Sequence, residues 1–154
     1  MKQFQYRLES VLAYKTQVLD NLKTEHAAII QNVNLKQEEI RGLHRELSGY
    51  ENQFDQAKED GTSIENYRLF DMCIGRMGEI IDEEKERLKV LKKQENAKKQ
   101  EVINAKVDTS RFEKLKERKL VEYQKEVAKA DELFVEEFVS GAAMRMRRQQ
   151  YRGG

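Results

Sequence analysis

Apolar side chains recur along this chain with a seven-residue period that is interrupted once, near Asp60 and Gly61. With Leu12 at position a, the first stretch of a and d positions is Leu8, Leu12, Lys15, Leu19, Leu22, His26, Ile29, Val33, Lys36, Ile40, Leu43, Leu47, Tyr50, Phe54 and Ala57. Twelve of these fifteen are apolar, in a chain that is 38% hydrophobic. A sustained spacing of about 3.5 residues keeps one stripe of a helix facing a partner, so it predicts a coiled coil.

The period resumes after the interruption and marks a second helix. Its a and d positions are Tyr67, Phe70, Ile74, Met77, Ile81, Glu84, Leu88, Leu91, Glu95, Lys98, Val102, Ala105, Thr109 and Phe112. We predict helix one over about residues 4–57, a turn over about 58–63 and helix two over about 64–140. Gly61 suits a left-handed helix end, and the segment Thr62-Ser63-Ile64-Glu65 has the form of a capping box.

The turn is short, which predicts that the two helices lie side by side and antiparallel. Residue i should then face roughly residue 121 minus i, which sets Leu47 opposite Ile74 and Ile40 opposite Ile81. Apolar residues meet apolar residues at most of these steps. The predicted fold class is all-α: two long helices in an antiparallel coiled-coil hairpin, forming a single domain over residues 1–141.

Helix two is longer than its partner, and its apolar spacing continues where helix one can no longer cover it. This predicted overhang carries an apolar stripe that includes Val127, Phe134 and Phe138. An exposed apolar stripe of this kind indicates a contact with a partner protein. The segment 142–154 contains four arginines and two closing glycines, and we expect it to be a flexible tail.

Three polar residues, Lys15, His26 and Lys36, interrupt the first apolar stripe. One interpretation is that they define the register against a partner. The other, which the sequence alone favours, is that the lysine stems lie along the seam while their ammonium groups reach water.

Composition narrows the possible functions. The net charge is +1, from 29 basic and 28 acidic residues, so no strong field favours nucleic acid or an anionic membrane. Cys73 is the single cysteine, so it cannot form an intrachain disulfide, and a reducing compartment is the simple interpretation. The first residues do not resemble a signal peptide, and no apolar run approaches the length of a membrane span. These features predict a cytoplasmic protein that does not insert into a membrane.

The chain shows no pattern that is typical of an enzyme. Neither His26 nor His44 belongs to a set with metal-ligand spacing, and no nucleotide-binding or nucleophile motif occurs. We therefore expect no catalytic residues, no metal and no cofactor. The arginines of the tail are weak evidence for RNA binding, because Tyr151 is the one aromatic residue among them; no nucleic acid partner is expected.

Aromatic residues are concentrated near the turn, where Tyr50, Phe54, Tyr67 and Phe70 lie close to four glycines. The glycines are Gly42, Gly49, Gly75 and Gly78. These aromatic residues are either the core of the hairpin or a recognition surface at its tip, since aromatic and Met side chains are enriched at protein interfaces.

Both ends of the chain resemble a known family. The segment 4–15, Phe-Gln-Tyr-Arg-Leu-Glu-Ser-Val-Leu-Ala-Tyr-Lys, is similar to the N-terminal F-x-Y-R-L-E-x-V-L-x-Y-K pattern of the flagellar export protein FliJ. Residues 111–119 with Tyr123 are similar to a second block of that family. Residues 129–134 resemble its C-terminal stretch, although Ala130 stands where many members carry a larger apolar residue.

The resemblance implies a two-helix stalk similar to the gamma subunit of rotary ATPases, with three kinds of partner. These are the hexameric flagellar export ATPase, an export-gate platform protein in the membrane, and export chaperones. The end with both termini is expected at the ATPase, and its candidate residues are Phe4, Leu8, Val127, Phe134 and Phe138. The tip is expected at the platform, with candidate residues Leu47, Tyr50, Phe54, Phe70, Ile74, Met77 and Ile81. The protein would then be peripheral at the inner face of the cell membrane.

Three other interpretations remain open at this stage. The chain could be the equivalent stalk of a virulence secretion system, a generic scaffold coiled coil, or an RNA-associated protein that uses its arginine-rich tail.

Overall fold

The computed structural model describes residues 2–153 and contains two α-helices, α1 (Glu9–Asp60) and α2 (Ile64–Arg152). The helices pack against each other, and no strand is present in the described part of the chain. The predicted all-α fold is confirmed. Neither helix is long and apolar enough to cross a membrane.

The contacts divide the chain into two compact units. Gln17–Lys106 forms the hairpin unit, and Met1–Thr16 together with Val107–Gly154 forms the terminal unit. Each unit contains a part of both helices.

The turn of the hairpin unit is three residues long, because α1 ends at Asp60 and α2 begins at Ile64. Gly61 has a φ of 83°, a left-handed conformation that glycine adopts without steric strain. Ser63 caps α2, since its hydroxyl oxygen accepts a hydrogen bond from the Asn66 amide at 3.1 Å. The structure thus corrects the predicted cap by one residue, from Thr62 to Ser63, because Ser63 is the residue whose hydroxyl reaches the third amide of the helix.

The core of the hairpin unit is the predicted stripe of a and d residues. Its buried apolar side chains are Leu19, Val33, Ile40, Phe54, Ile81 and Val102. The predicted register also holds, since His26 contacts Glu95 and the Phe54 ring contacts the Tyr67 ring. In both pairs the two residue numbers add to 121. The heptad pattern of the sequence therefore predicted which residues are buried, and the position of the turn predicted which residues of the two helices face each other.

Polar residues in the stripe meet charged partners on the facing helix. Lys36 Nζ lies 2.6 Å from Glu84 Oε2, and Glu84 also pairs with Arg87 one turn along α2. His26 Nε2 lies 2.8 Å from Glu95 Oε1. The interpretation that the sequence favours, ammonium groups reaching only water, is therefore wrong for Lys36. The carboxylate of Glu84 has a relative exposure of 8% and binds the ammonium directly.

The same polar pairing occurs in the terminal unit. Leu12 and Thr109 are its buried stripe residues, and Lys15 Nζ lies 2.6 Å from Asp108 Oδ2. The Thr109 hydroxyl donates to the Lys15 carbonyl oxygen at 3.4 Å. In this unit α1 and α2 are thus joined by a side-chain ion pair and by a hydrogen bond from a side chain to the backbone.

The helix ends in the terminal unit differ from the predicted ones. Helix one begins at Glu9 instead of about residue 4, because the residues before it leave the helical path to contact α2. Helix two continues to Arg152 instead of about residue 140, so residues 142–152 of the predicted flexible tail are helical. This segment contains no proline, and its Ala, Met, Arg and Gln residues have high helix propensity, which outweighs the cost of about 1 kcal/mol at Gly141.

The Lys36–Glu84 pair generates a prediction about pH. The hydrogen bond from Lys36, more than any other contact, lowers the pKa of Glu84 below its ordinary value of 4.5, so the pair stabilises the fold above that pH. This contribution is lost as the pH falls through the lowered pKa of Glu84. We expect Glu84→Gln to melt several degrees below the wild type near neutral pH. The difference should shrink toward zero in acid, as measured by circular dichroism.

Glu86→Gln is the matched control, because Glu86 has a relative exposure of 71% and its partner is Lys89 on its own helix. It should melt close to the wild type at every pH. A difference between Glu84→Gln and wild type that stays constant well below pH 4.5 would contradict the assignment.

Candidate protein-interaction surfaces

The N-terminal segment, residues 2–8, folds back onto α2 within the terminal unit. The Tyr6 hydroxyl donates to the Phe112 carbonyl oxygen at 3.0 Å, and the Tyr123 hydroxyl donates to the Lys2 carbonyl oxygen at 2.6 Å. The rings of Phe4 and Tyr123 lie 5.6 Å apart between centroids. We call this arrangement the N-terminal clasp. It is the reason that helix one starts late, since aromatic contacts with α2 replace a further helical turn.

A groove of about 490 Å³ runs along the clasp, between residues 4–8 and one face of α2. Phe4, Leu8 and Tyr123 contribute apolar surface to it, while Lys119 and Glu122 contribute charge. The ion pair from Lys116 Nζ to Glu9 Oε2, at 2.8 Å, lies beside it. The two N-terminal candidates for ATPase contact, Phe4 and Leu8, are therefore half-buried and hold the clasp in place as well as lining the groove.

Beyond the clasp α2 has no facing helix in the terminal unit, and we call residues 124–152 the overhang. Phe134 and Phe138 have relative exposures of 69% and 63%, whereas Val127 is half-buried. Leu133, Val135 and Val139 are exposed beside them. Two phenylalanines this exposed on one face of α2 are suited to a contact with another protein, and Val139 lies off that face, about 100° around the helix from Phe138.

The structure separates the seven tip candidates into three groups by their exposure. Phe54 and Ile81 are buried in the hairpin core, with exposures of 8% and 3%, so they are corrected from surface to core residues. Phe54 is enclosed because the Tyr67 and Phe70 rings lie 5.0 and 5.2 Å from it. Tyr50 is exposed, and the remaining candidates Leu47, Phe70, Ile74 and Met77 are half-buried.

A second apolar surface, which the sequence analysis does not predict, lies next to the tip candidates. Leu69 and Met72 have exposures of 58% and 72%, and with Tyr50 and Met77 they line a groove of about 380 Å³. Cys73, Arg76 and Ile80 complete its lining. We call this the tip groove. The signal for it was present, because Leu69, Cys73, Arg76 and Ile80 repeat the helical spacing of the core stripe one residue earlier.

The glycines near the turn are not required by close packing. A Cβ atom added at Gly49, Gly75 or Gly78 would meet no atom within 4 Å. In the part of the chain that the structure describes, His, Cys, Asp and Glu side chains do not gather into a group able to hold a metal ion.

Fold and surfaces together define a helical-hairpin protein with exposed apolar faces for protein partners. The family model described as Flagellar FliJ protein matches residues 4–150, and the chain belongs to this family. The resemblance inferred from residues 4–15, 111–119 and 129–134 is confirmed. The chain is accordingly a stalk protein of type III secretion, associated with the export apparatus.

One solved structure is similar over almost the whole length. It is a protein from Chlamydia trachomatis described as a homologue of YscO, with 22% identity, a TM-score of 0.48 and 99% of each chain covered. A comparison with curated proteins finds no match.

The N-terminal clasp predicts the effect of a single hydroxyl group. Tyr6→Phe keeps the ring and removes the donor to the Phe112 carbonyl, so residues 2–8 should detach more often. A hydrogen bond of this kind contributes about 0.5–1.5 kcal/mol, so trypsin should cut after Arg7 roughly 2–12 times faster. Tyr14→Phe, at a side chain that is 67% exposed, is the control and should be cut at the wild-type rate. Equal rates for both variants would show that the Tyr6 hydroxyl does not hold the segment.

Proposed function

We propose that this protein is a non-enzymatic stalk and coupling protein of the flagellar type III export apparatus. Its terminal unit inserts into the ring of the hexameric export ATPase, and the tip groove of its hairpin unit contacts the export-gate platform protein. It works in the cytoplasm, peripheral to the inner face of the cell membrane, and hands export chaperones to the same machinery. The observation that carries the proposal is the bare apolar stripe of the overhang in a member of the FliJ family.

The ATPase contact is argued from the terminal unit. Phe134 and Phe138 lie four residues apart, so they share one face of α2 and form a continuous apolar patch. Exposed aromatic side chains are a liability for aggregation unless a partner covers them. The clasp groove with Phe4 and Leu8 adds a second apolar feature to the same unit, and half-buried Val127 lies between the two features along α2.

The mechanism is one of differential binding, because the chain offers helical surfaces in place of catalytic groups. A single helical stalk cannot contact six equivalent ring subunits identically. Subunits that contact Phe134 and Phe138 would be stabilised in one conformation relative to the others, which biases nucleotide turnover around the ring. The bias can be no larger than the difference in binding free energy between the two subunit conformations.

The platform contact is argued from the tip groove. Tyr50, Leu69 and Met72 are exposed, adjacent and apolar, which matches the composition of protein recognition surfaces. Among the tip candidates predicted from sequence, Tyr50 and Met77 line this groove, so they are the members that a partner can reach. Leu47, Phe70 and Ile74 are half-buried and support it from the seam side.

Export chaperones are the third partner class. Support for them is the family membership together with the presence of an apolar surface in each unit, which gives a second protein a surface of its own.

The ATPase contact predicts the effect of charge on the overhang stripe. Phe134→Glu with Phe138→Glu should reduce stimulation of the ATPase at least about tenfold, because removing two interface aromatics of about 1–2 kcal/mol each weakens binding. Helicity should be unchanged, since both side chains are exposed. Steady-state ATP hydrolysis with the purified hexameric ATPase, alongside circular dichroism, measures both effects.

A matched control lies on the same helix. Val139→Glu with Ala143→Glu makes the same charge change about 140° around α2, because each site is five residues beyond its counterpart. This control should stimulate the ATPase as the wild type does. Equal loss in both pairs would indicate a charge effect on the whole segment, and full stimulation by the Phe134 and Phe138 variant would overturn the contact.

The tip groove predicts a binding defect without a stability defect. Tyr50→Ala with Met72→Ala removes two exposed groove residues, so platform binding measured by calorimetry should weaken about tenfold or more while the melting temperature moves little. ATPase stimulation should be retained. Leu35→Ala with Val90→Ala, at positions 67% and 55% exposed outside the groove, should bind the platform normally. If the groove variant binds as the wild type does, or melts far below it, the tip groove is a structural feature and the proposed contact is wrong.

A further inference from the structure

Charge on the overhang is separated into two blocks. Residues 131–137, the acidic segment, contain four carboxylates and no basic residue, and residues 145–152, the basic segment, contain four arginines and no acidic residue. Their charged members are Asp131, Glu132, Glu136, Glu137, Arg145, Arg147, Arg148 and Arg152. Within residues 2–153, no ion pair joins these eight side chains to any other.

The separation explains why the two segments do not neutralise each other within one chain. Glu137 and Arg145 are eight residues apart, and side chains on a helix meet when they are three or four residues apart. Four negative charges therefore stand next to each other, and four positive charges follow on the same helix about two turns later. When two copies of this helix lie antiparallel, the acidic segment of each copy therefore faces the basic segment of the other.

The apolar stripe continues directly into the basic segment. At about 100° per residue, Phe134, Phe138, Arg145 and Arg148 fall within about 80° of one another around α2. Gly141 lies on this face midway between the phenylalanines and the arginines, with Ala142 next to it. The face thus has aromatic rings at one end, guanidinium groups at the other and Gly141 at its centre.

We propose that this face binds the same face of a second copy of the chain, antiparallel, with the two-fold axis near Gly141 and Ala142. Glu137 of one chain then faces Arg145 of the other, and Phe134 faces Arg148. Each of these contacts occurs twice, as a two-fold axis requires. A parallel pair would instead set acidic segment against acidic segment.

Three physical effects favour a second, antiparallel copy of the chain as the partner of this face. Opposite charges approach in both halves of the pair, guanidinium groups lie over phenylalanine rings, and the small residues at the axis let the backbones come close. Solvent-exposed ion pairs contribute little individually, so the association should be weak and sensitive to salt. Phe134 and Phe138 are covered in this pair, so self-association competes with the proposed ATPase contact and goes beyond it. The two phenylalanines become available to the ATPase only when the ring displaces the second copy.

Sedimentation equilibrium of the full chain, in a Cys73→Ser background that excludes disulfides, tests the proposal. At low salt the mass should rise with concentration toward twice the 18.2 kDa of one chain. Raising the salt from about 50 mM to about 500 mM should weaken the association at least about tenfold.

Charge reversal identifies the interface. In a homodimer, Arg145→Glu with Arg148→Glu places a carboxylate opposite Glu137 in both halves, and Asp131→Arg with Glu137→Arg places a guanidinium group opposite Arg145 in both halves. Each variant alone should remain a monomer, and an equimolar mixture of the two should form a heterodimer. Glu113→Arg with Glu117→Arg, at positions outside the overhang, should associate as the wild type does.

Single cysteines determine the direction of pairing. Ala142→Cys lies near the proposed axis and should form a disulfide with its own copy, whereas Gln149→Cys should not, because antiparallel pairing sets residue 149 opposite about residue 133. A wild type that stays monomeric at low salt, association that survives in both charge variants, or faster crosslinking at Gln149→Cys would each overturn the proposal. These measurements use this chain alone, so their failure is distinct from failure of ATPase stimulation by the overhang.

Discussion

Two helices that pack only against each other can bury one stripe apiece, and this limit accounts for most features of the protein. Leu19, Val33, Ile40, Ile81 and Val102 fill the stripe of the hairpin unit. With no third element to cover the remaining faces in the described part of the chain, large apolar side chains off the stripe stay in water. Exposed apolar surface is therefore built into the fold, and its position follows from which residues fall outside the stripe.

A narrow apolar seam is a poor guide to register, because shifting it by one heptad would still pair leucine with isoleucine. The polar pairs remove this ambiguity. A shift that separated Lys36 from Glu84 would leave a nearly buried carboxylate with one fewer partner, and it would also break the partly buried contact between His26 and Glu95. Separating a buried charge from its partner is strongly destabilising, so polar pairs of this kind select one alignment at a modest net gain in stability.

The candidate interaction surfaces lie near the turn of the hairpin and on the part of α2 that has no facing helix. At the turn, Tyr50 is exposed although its heptad position is a core position, because a single facing helix cannot enclose so large a ring at the edge of the seam. In the terminal unit, Tyr123 contacts the N-terminal segment, and the stripe farther along α2 at Phe134 and Phe138 is bare. The loss of a partner helix weakens the fold at this point and at the same time creates the surface on which the proposed ATPase contact depends.

The sequence by itself determined the elements that depend on local chemistry and on period. The heptad count identified the buried residues, Gly61 marked the turn, and the antiparallel alignment about that turn set His26 opposite Glu95. A turn and a period are properties of neighbouring residues, so they can be recognised without knowing which distant segments meet. The block at 4–15 also identified the family, because it is a specific string, whereas the later blocks resemble general coiled-coil sequence.

Tertiary structure decided the features that depend on residues far apart in the chain. Helix one begins at Glu9 because Tyr6 and Lys2 contact residues more than a hundred positions away, which no local propensity encodes. Periodicity placed Phe54 and Tyr50 on the same stripe, and only the rings of Tyr67 and Phe70 made the first a core residue and left the second exposed. The tip groove, likewise, joins Tyr50 of one helix to Leu69 and Met72 of the other, so it exists only once the two helices are side by side.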